Sequence, residues 1–191
     1  LHGQLGGEYQ AKNTNTILAA IDVLQGKAHA KGLPEAPIFK ISEQHVADGF
    51  AYVCESTGLQ GRWQTLHQHP LVVCDTGHNT AGWTYLAEQI AMQKCHHKHI
   101  VFGMVDDKDI GAVMDMLPKD ATYYWTQAST HRAVPSAKVA QMGQQRHLQG
   151  DDCGNVEQAY RKAMEKAGQN DLVFVGGSSY VVADLLALND F

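Results

Sequence analysis

The stretch Leu71-Val72-Val73-Cys74-Asp75-Thr76-Gly77-His78-Asn79-Thr80 decides the fold. Its four apolar residues, half of them β-branched, read as a short buried strand. The run stops at Asp75, and Gly77 permits a tight turn. Asn79 or Thr80 then caps a helix whose apolar positions are Trp83, Leu86, Ala87 and Ile90. In an open parallel sheet, such a strand-turn-helix delivers its polar residues to the carboxyl edge, where these sheets bind ligands. Asp75 has two readings at that edge. It accepts ribose hydroxyls or orders a cation's water, or it only caps the helix, the reading that local pattern favours.

Downstream, strand and helix signals alternate. Strands are expected at His99 to Gly103, Thr122 to Thr126 and Leu172 to Gly176, with a short edge strand at His147 to Gln149. Helices are expected at Ala81 to Lys94, Asp109 to Leu117, Ser136 to Gln145, Asn155 to Ala167 and Tyr180 to Leu188. Apolar strand runs alternating with helices imply an α/β fold, Rossmann-like, with a mainly parallel sheet flanked by helices on both faces. Asp75, Gly103, Thr126 and Gly176-Gly177-Ser178-Ser179 should then gather at one edge. Ser178 and Ser179 open a helix, so their hydroxyls and the N–H groups there offer an anion site or simple capping. The charged loop Gly103-Met104-Val105-Asp106-Asp107-Lys108-Asp109 and the pair His131 and Arg132 follow other strands. Each lines the same edge or belongs to a plain loop. Neither G-x-x-x-x-G-K-[ST] nor G-x-G-x-x-G occurs, so no dinucleotide site is signalled.

Upstream, His67-Gln68-His69-Pro70 reads as a turn, and a domain boundary is placed near residue 62. In Gly61-Arg62-Trp63, an arginine after glycine can present its guanidinium fork to a phosphate, or stack on Trp63. Ser42 to Tyr52 reads as a helix capped by Ser42, and Gly32, Pro34 and Pro37 mark a loop. Ile17, Leu18, Ile21 and Leu24 repeat at helical spacing, with Gly26 as a stop. Gln10 and Asn13 lie one turn apart at the start of that helix. They either read the edge of a planar ligand or cap the helix.

The chain has 191 residues, 44% hydrophobic and 18% charged, with net charge -5. No basic stripe points to nucleic acid, and no apolar run reaches membrane-spanning length. Four cysteines without a C-x-x-C pair suit reduced thiols in the cytoplasm. Cys95-His96-His97-Lys98-His99 reads as a solvated basic helix end rather than a metal site. The first residue is not Met, and the first helix starts with little of its own domain around it. A piece of a longer protein is expected.

Taken in order, these motifs resemble the folylpolyglutamate synthase/dihydrofolate synthase family of the Mur ligase superfamily, in its C-terminal portion. Gly7-Glu8-Tyr9-Gln10-Ala11-Lys12-Asn13 is similar to a G-x-[HY]-Q-x-x-N helix of the central ATPase domain. Gly61-Arg62-Trp63 resembles a G-R-[WF] entry into the C-terminal domain. Asp75-Thr76-Gly77-His78-Asn79-Thr80 resembles D-x-A-H-N-P, with Gly77 and Thr80 in place of the usual Ala and Pro. Gly103 to Asp109 matches G-x-x-x-D-K-D. Arg132-Ala133 and Gly177-Ser178 match two later motifs, the residues after Gly-Ser differing slightly.

The resemblance implies residues 1–62 as a helical remnant of the central ATPase domain plus linker, and 63–191 as the Mur ligase C-terminal, glutamate ligase domain. It implies ATP and Mg2+ as cofactors, with the magnesium ligands and the P-loop in a missing N-terminal part. Its substrates would be ATP, L-glutamate and dihydropteroate or folate, joined through an acyl phosphate by a monomeric full-length enzyme. The fragment alone would be inactive. Gln10 and Asn13 would lie near adenine, Arg62 would face the phosphates, and Asp75 would hold the ribose hydroxyls. His78 would contact nucleotide or incoming glutamate, and Ser178 would take a glutamate carboxylate. Lys108 would at least order its loop. The rival readings are the C-terminal domain of a UDP-muramyl-peptide ligase and a non-catalytic nucleotide-binding module.

Overall fold

A computed structural model describes residues 2–7, 9–28, 39–106 and 109–189. The chain divides into two compact units, Leu1–Gln60 and Gly61–Phe191.

The first unit is helical among its described residues. Helix α1 spans Gln10–Leu24 and buries none of its residues. Gly26 takes φ 71°, the left-handed geometry that ends helices, just past the cap. Helix α2, Glu43–Ala51, is capped as expected by Ser42, whose hydroxyl oxygen accepts from the N–H of His45. The His45 ring closes a capping box on the N–H of Ser42. A short helix α3, Val53–Thr57, follows and ends at Gly58, also left-handed. The loop marked by Gly32, Pro34 and Pro37 lies outside the described residues.

The second unit is a six-stranded sheet of order β1-β2-β6-β3-β4-β5. Its strands are β1 (Gln64–Gln68), β2 (Leu71–Asp75), β3 (Lys98–Phe102), β4 (Ala121–Gln127), β5 (Gln149–Asn155) and β6 (Leu172–Gly176). Only β1 runs antiparallel to its neighbour; the other pairings are parallel. The helices are α4 (Thr80–Ala91), α5 (Ile110–Asp115), α6 (Ser136–Gln144), α7 (Val156–Lys166) and α8 (Ser179–Leu186).

Alternate residues of each strand face opposite ways, so the sheet is covered twice. Val72, Cys74, Val101, Tyr124, Val173 and Val175 form one core with α7 and α8. Phe102, Phe174 and Trp125 turn to the other face. There the indole of Trp83 on α4 meets both phenyl rings edge-on, and Phe102 meets Trp125 in the same way. Each such ring, fully buried, contributes about 1.5–3 kcal/mol of transfer free energy.

Three sequence expectations need correction. His67 and Gln68 are not a turn but the end of β1, a hairpin partner of β2. The edge strand is Gln149–Asn155, not His147 to Gln149, and Asn155 caps α7 instead of lying within it. Lys98 and His99 do not end a helix. Helix α4 stops at Ala91, and the two residues open β3, both buried. Strand pairing on two sides wins there over the local charge pattern. The His99 ring bonds the Tyr124 hydroxyl at 2.9 Å, and Lys98 reaches Asp120 at 2.6 Å.

Candidate functional site

The parallel register aligns the carboxyl ends of three adjacent strands. Asp75 pairs with Gly176, and Gly176 with Phe102. Gly103 therefore follows at the same level, and Thr126 lies one residue beyond the Phe102–Trp125 pair. The four strand ends meet at one edge.

Glycines let the main chains close in there. A Cβ at Gly177, which has φ 103°, would lie 2.4 Å from the carbonyl oxygen of Gly103. One at Gly103 would lie 2.5 Å from that of Thr126. Such distances leave room only for glycine.

Asp75 is 1% exposed. Its Oδ2 accepts from the N–H of Trp63 and its Oδ1 from the N–H of Gly77, both at 2.7 Å. It does not cap α4. That role belongs to Asn79, whose side chain accepts from the N–H of Gly82 at 2.8 Å. Burial pushes the thiol of neighbouring Cys74 up to about 12, the Asp75 charge adding to the effect. Cys74 is thus a packing residue and no nucleophile.

The Gly61-Arg62-Trp63 loop is laced onto the same strand end. The N–H of Thr76 donates to the Gly61 carbonyl at 2.9 Å, and the guanidinium of Arg62 donates to the Thr76 hydroxyl. Gly61 has φ 71° and Trp63 φ 47°. A Cβ on Gly61 would lie 2.7 Å from the Thr76 methyl. The Trp63 ring rests against Phe174, centroids 5.9 Å apart. His78 turns its Nδ1 to the Thr76 carbonyl at 3.0 Å. The indole N–H of Trp83 holds the Gly77 carbonyl at 3.1 Å. Arg62 and His78 thus both bond Thr76, and Asp75 next to it in the chain holds the N–H groups of Trp63 and Gly77. Thr76 looks like a mere spacer in the sequence. The left-handed Trp63 carries no sequence signal, because a bulky side chain rarely adopts that conformation.

Ser178 stands two residues past the Gly176 that pairs with Asp75. It is 1% exposed, and its hydroxyl oxygen accepts from the N–H of Val181 at 3.2 Å, capping α8. The hydroxyl serves the helix, and what it presents to the edge is the first turn of α8.

The loops after β3 and β4 are joined by an antiparallel bridge between Val105 and Ala133. The N–H of Asp106 donates to the Arg132 carbonyl at 3.0 Å. Arg132 thus belongs to this end of the sheet, and His131 beside it is exposed. Asp109 caps α5 through the N–H of Ala112. Asp107 and Lys108 lie outside the described residues.

Gln10 and Asn13 belong to the first unit. They are neither capping residues nor separate: the Asn13 amide donates to the Gln10 side-chain oxygen at 2.9 Å, and Tyr9 is the N-cap. Gln10 also lines an apolar cavity of about 270 Å³ with Thr14, Ile17, Ile21, Ile41 and Phe50.

Among the described residues, no three His, Cys, Asp or Glu side chains converge to hold a metal ion. No described helix is long and apolar enough to cross a membrane.

A family model described as Mur ligase, glutamate ligase domain, matches residues 61–179. The chain is 31% identical over 179 residues to the dihydrofolate synthase/folylpolyglutamate synthase of Escherichia coli (strain K12), covering 93% of this chain and 38% of that protein. The solved structure of E. coli FolC in complex with DHPP and ADP superposes with a TM-score of 0.72, at 29% identity over 93% of this chain and 38% of that one. A bifunctional folylpolyglutamate synthase/dihydrofolate synthase with Mn, AMPPNP and L-glutamate bound gives 0.64, at 27% identity over 84% of this chain and 36% of that one. The chain thus spans less than two fifths of the length of these relatives.

Proposed function

The chain belongs to the Mur ligase family through its glutamate ligase domain, and on that premise we propose that it is the C-terminal part of an ATP-dependent ligase. The full enzyme adds L-glutamate to dihydropteroate, or to folate and its polyglutamates. The observation that carries this reading is the carboxyl edge of the sheet, where the motif residues Arg62 and His78 both bond Thr76, Asp75 holds the flanking main chain, and the start of α8 lies at the neighbouring strand end.

In this reading, residues 1–62 are the end of a central ATPase domain with its linker, and 63–191 are the glutamate ligase domain. The division into compact units after Gln60 supports it. Arg62 faces the ATP phosphates, its guanidinium oriented by Thr76. His78, at the turn into α4, meets nucleotide or incoming glutamate. The first turn of α8, shaped by Ser178, takes a glutamate carboxylate through N–H groups and the helix dipole. Gln10 serves the adenine, as an amide on the wall of an apolar cavity suits a planar heterocycle, and Asn13 orients it by donating to its side-chain oxygen.

ATP phosphorylates the acceptor carboxylate, and the glutamate amine displaces the phosphate to form an amide. These residues act by holding the reactants in place, neutralising charge and excluding water. Mg2+, when bound, neutralises phosphate charge. No ligand for it is assigned to the described residues, which gather no metal-binding cluster. A cytoplasmic, monomeric enzyme belongs to the same proposal; the four free cysteines suit the reducing compartment and leave the monomer an expectation.

The test is ADP release by the purified full-length protein. It should require L-glutamate together with dihydropteroate or a folate, and the 191-residue chain alone should give none. Turnover only with a UDP-muramyl peptide would replace the folate reading by its rival. Nucleotide binding without any turnover would leave a binding module.

A further inference from the structure

We propose that Thr76 is a positioning residue: its hydroxyl aims the guanidinium of Arg62, and its carbonyl fixes the ring of His78 as the tautomer that carries its proton on Nδ1.

Thr76 stands at the unspecified position of the D-x-A-H-N-P pattern, so the motif gives it no role. Its contacts do. The half-buried side chain accepts from the Arg62 guanidinium through its hydroxyl oxygen. Its N–H donates to the Gly61 carbonyl at 2.9 Å and so holds the main chain just before Arg62. Its methyl fills the space beside Gly61, where an added Cβ would lie 2.7 Å away. One residue thus anchors both the root of the arginine and its tip. A long side chain loses rotamer freedom when it grips a ligand, and one that is already aimed loses less. The guanidinium carries five N–H donors in a rigid fork, so a bond to Thr76 leaves donors for an anion.

On the other side, the Nδ1 of His78 lies 3.0 Å from the Thr76 carbonyl oxygen. A carbonyl only accepts, so Nδ1 is the donor. The neutral ring then keeps Nε2 as a bare acceptor, and the hydrogen bond behind it sets the ring's direction. The consequence for catalysis rests on the ligase reading; the two hydrogen bonds do not.

In the 191-residue chain, nitrogen NMR reads both bonds. At about pH 8.5, where histidine is neutral, the His78 ring should carry its proton on Nδ1, and a ring protonated on Nε2 would overturn the proposal. Thr76→Val keeps the methyl and the shape and removes the hydroxyl. The Arg62 guanidinium N–H groups should then exchange with water roughly 10-fold faster, while the His78 tautomer stays as it is. Unchanged exchange at Arg62 would overturn the proposal. Should the variant fail to fold, the parent chain still decides. An ordered Arg62 guanidinium supports the anchor, and a freely turning one refutes it.

In the full-length protein, Thr76→Val should lower kcat/KM for ATP roughly 10-fold with its melting temperature nearly unchanged. Thr76→Ser keeps the hydroxyl and should recover most of that loss. Added to Arg62→Ala, Thr76→Val should cost nothing further, because its hydroxyl acts only through Arg62. An unchanged kcat/KM in Thr76→Val, no rescue by serine, or a full additional loss in the double variant would each overturn the proposal. A full-length protein without ligase activity would sink the functional reading and leave the NMR result standing.

Discussion

The two ends of this sheet use polar side chains in different proportions. At the amino end, most bond side chains across neighbouring segments, and Asp171 takes the N–H groups of His97 and Gly168. His99 meets Tyr124, His97 meets Thr122, and Lys98 meets Asp120. At the carboxyl end, side chains bond the main chain of loops. Asp75 takes two N–H groups, and Asn79, Asp109 and Ser178 each take one at a helix start. The first arrangement staples strands together and stabilises. The second shapes loops around an edge that stays available to a ligand. Hydrogen-bonded polar side chains alone therefore do not mark a site. What marks it is their convergence with the glycines that let several loops and helix starts close in at one edge.

Glycine substitution gives the largest contrast. Gly177→Ala places a Cβ against an unyielding carbonyl at a left-handed φ and should destabilise the second unit by about 3 kcal/mol. Gly168→Ala at the amino end meets only ordinary contact, 3.4 Å from Asp171, and should cost less than about 1 kcal/mol. Urea unfolding of the two variants measures both, and equal losses would erase the distinction. Ser178→Ala removes a helix cap and should cost about 1 kcal/mol, read in the same way.

The amino end should respond to pH. Burial lowers the pKa of His99, with the Asp171 carboxylate 3.4 Å from its Nε2 opposing it. The unfolded chain then binds a proton that the folded one resists. Stability should be full above the ordinary histidine value of about 6.5 and fall as pH drops through that value toward the lower folded one. His99→Gln should flatten this dependence in melts between pH 7.5 and 5, and an unchanged slope would assign it elsewhere. The smallest effect is expected at the Lys98–Asp120 pair. Lys98 holds the Asp120 carboxyl below its usual range, yet the Asp120 side chain is 71% exposed. Asp120→Asn should cost under about 1 kcal/mol and less at high salt.

How far the sequence reveals this can be traced residue by residue. Leu71–Asp75 and Leu172–Gly176 carry apolar runs that only buried parallel strands explain. Strand β5 has no such run. Of Gln149-Gly150-Asp151-Asp152-Cys153-Gly154-Asn155 only Gln149 falls in the edge strand expected from the sequence, and the whole stretch is a strand because β4 offers it a ladder. Gly150 lets the chain close in, since a Cβ there would lie 2.3 Å from the Tyr123 carbonyl oxygen. Strand β1 is polar and exposed on an edge, so alternation leaves little trace. Of the candidate site, Arg62, Asp75, His78 and Ser178 are visible as motif residues at strand ends. Their partners are not. The Asp75 bonds depend on Trp63 adopting a backbone conformation that its type disfavours, and the Ser178 hydroxyl is spent on its own helix.

The most direct test of the proposal that the carboxyl end is the working end compares one variant from each end in the full-length protein. Steady-state glutamate addition and melting temperature are measured for Arg62→Ala and Asp171→Asn. Arg62→Ala should lose roughly 100-fold or more in turnover with its melting temperature nearly unchanged, the result that the phosphate role proposed for Arg62 requires. Asp171→Asn weakens the staple that receives the N–H groups of His97 and Gly168. It should melt lower and keep its kcat. Full turnover in Arg62→Ala, or loss of turnover in a folded Asp171→Asn, would contradict the account.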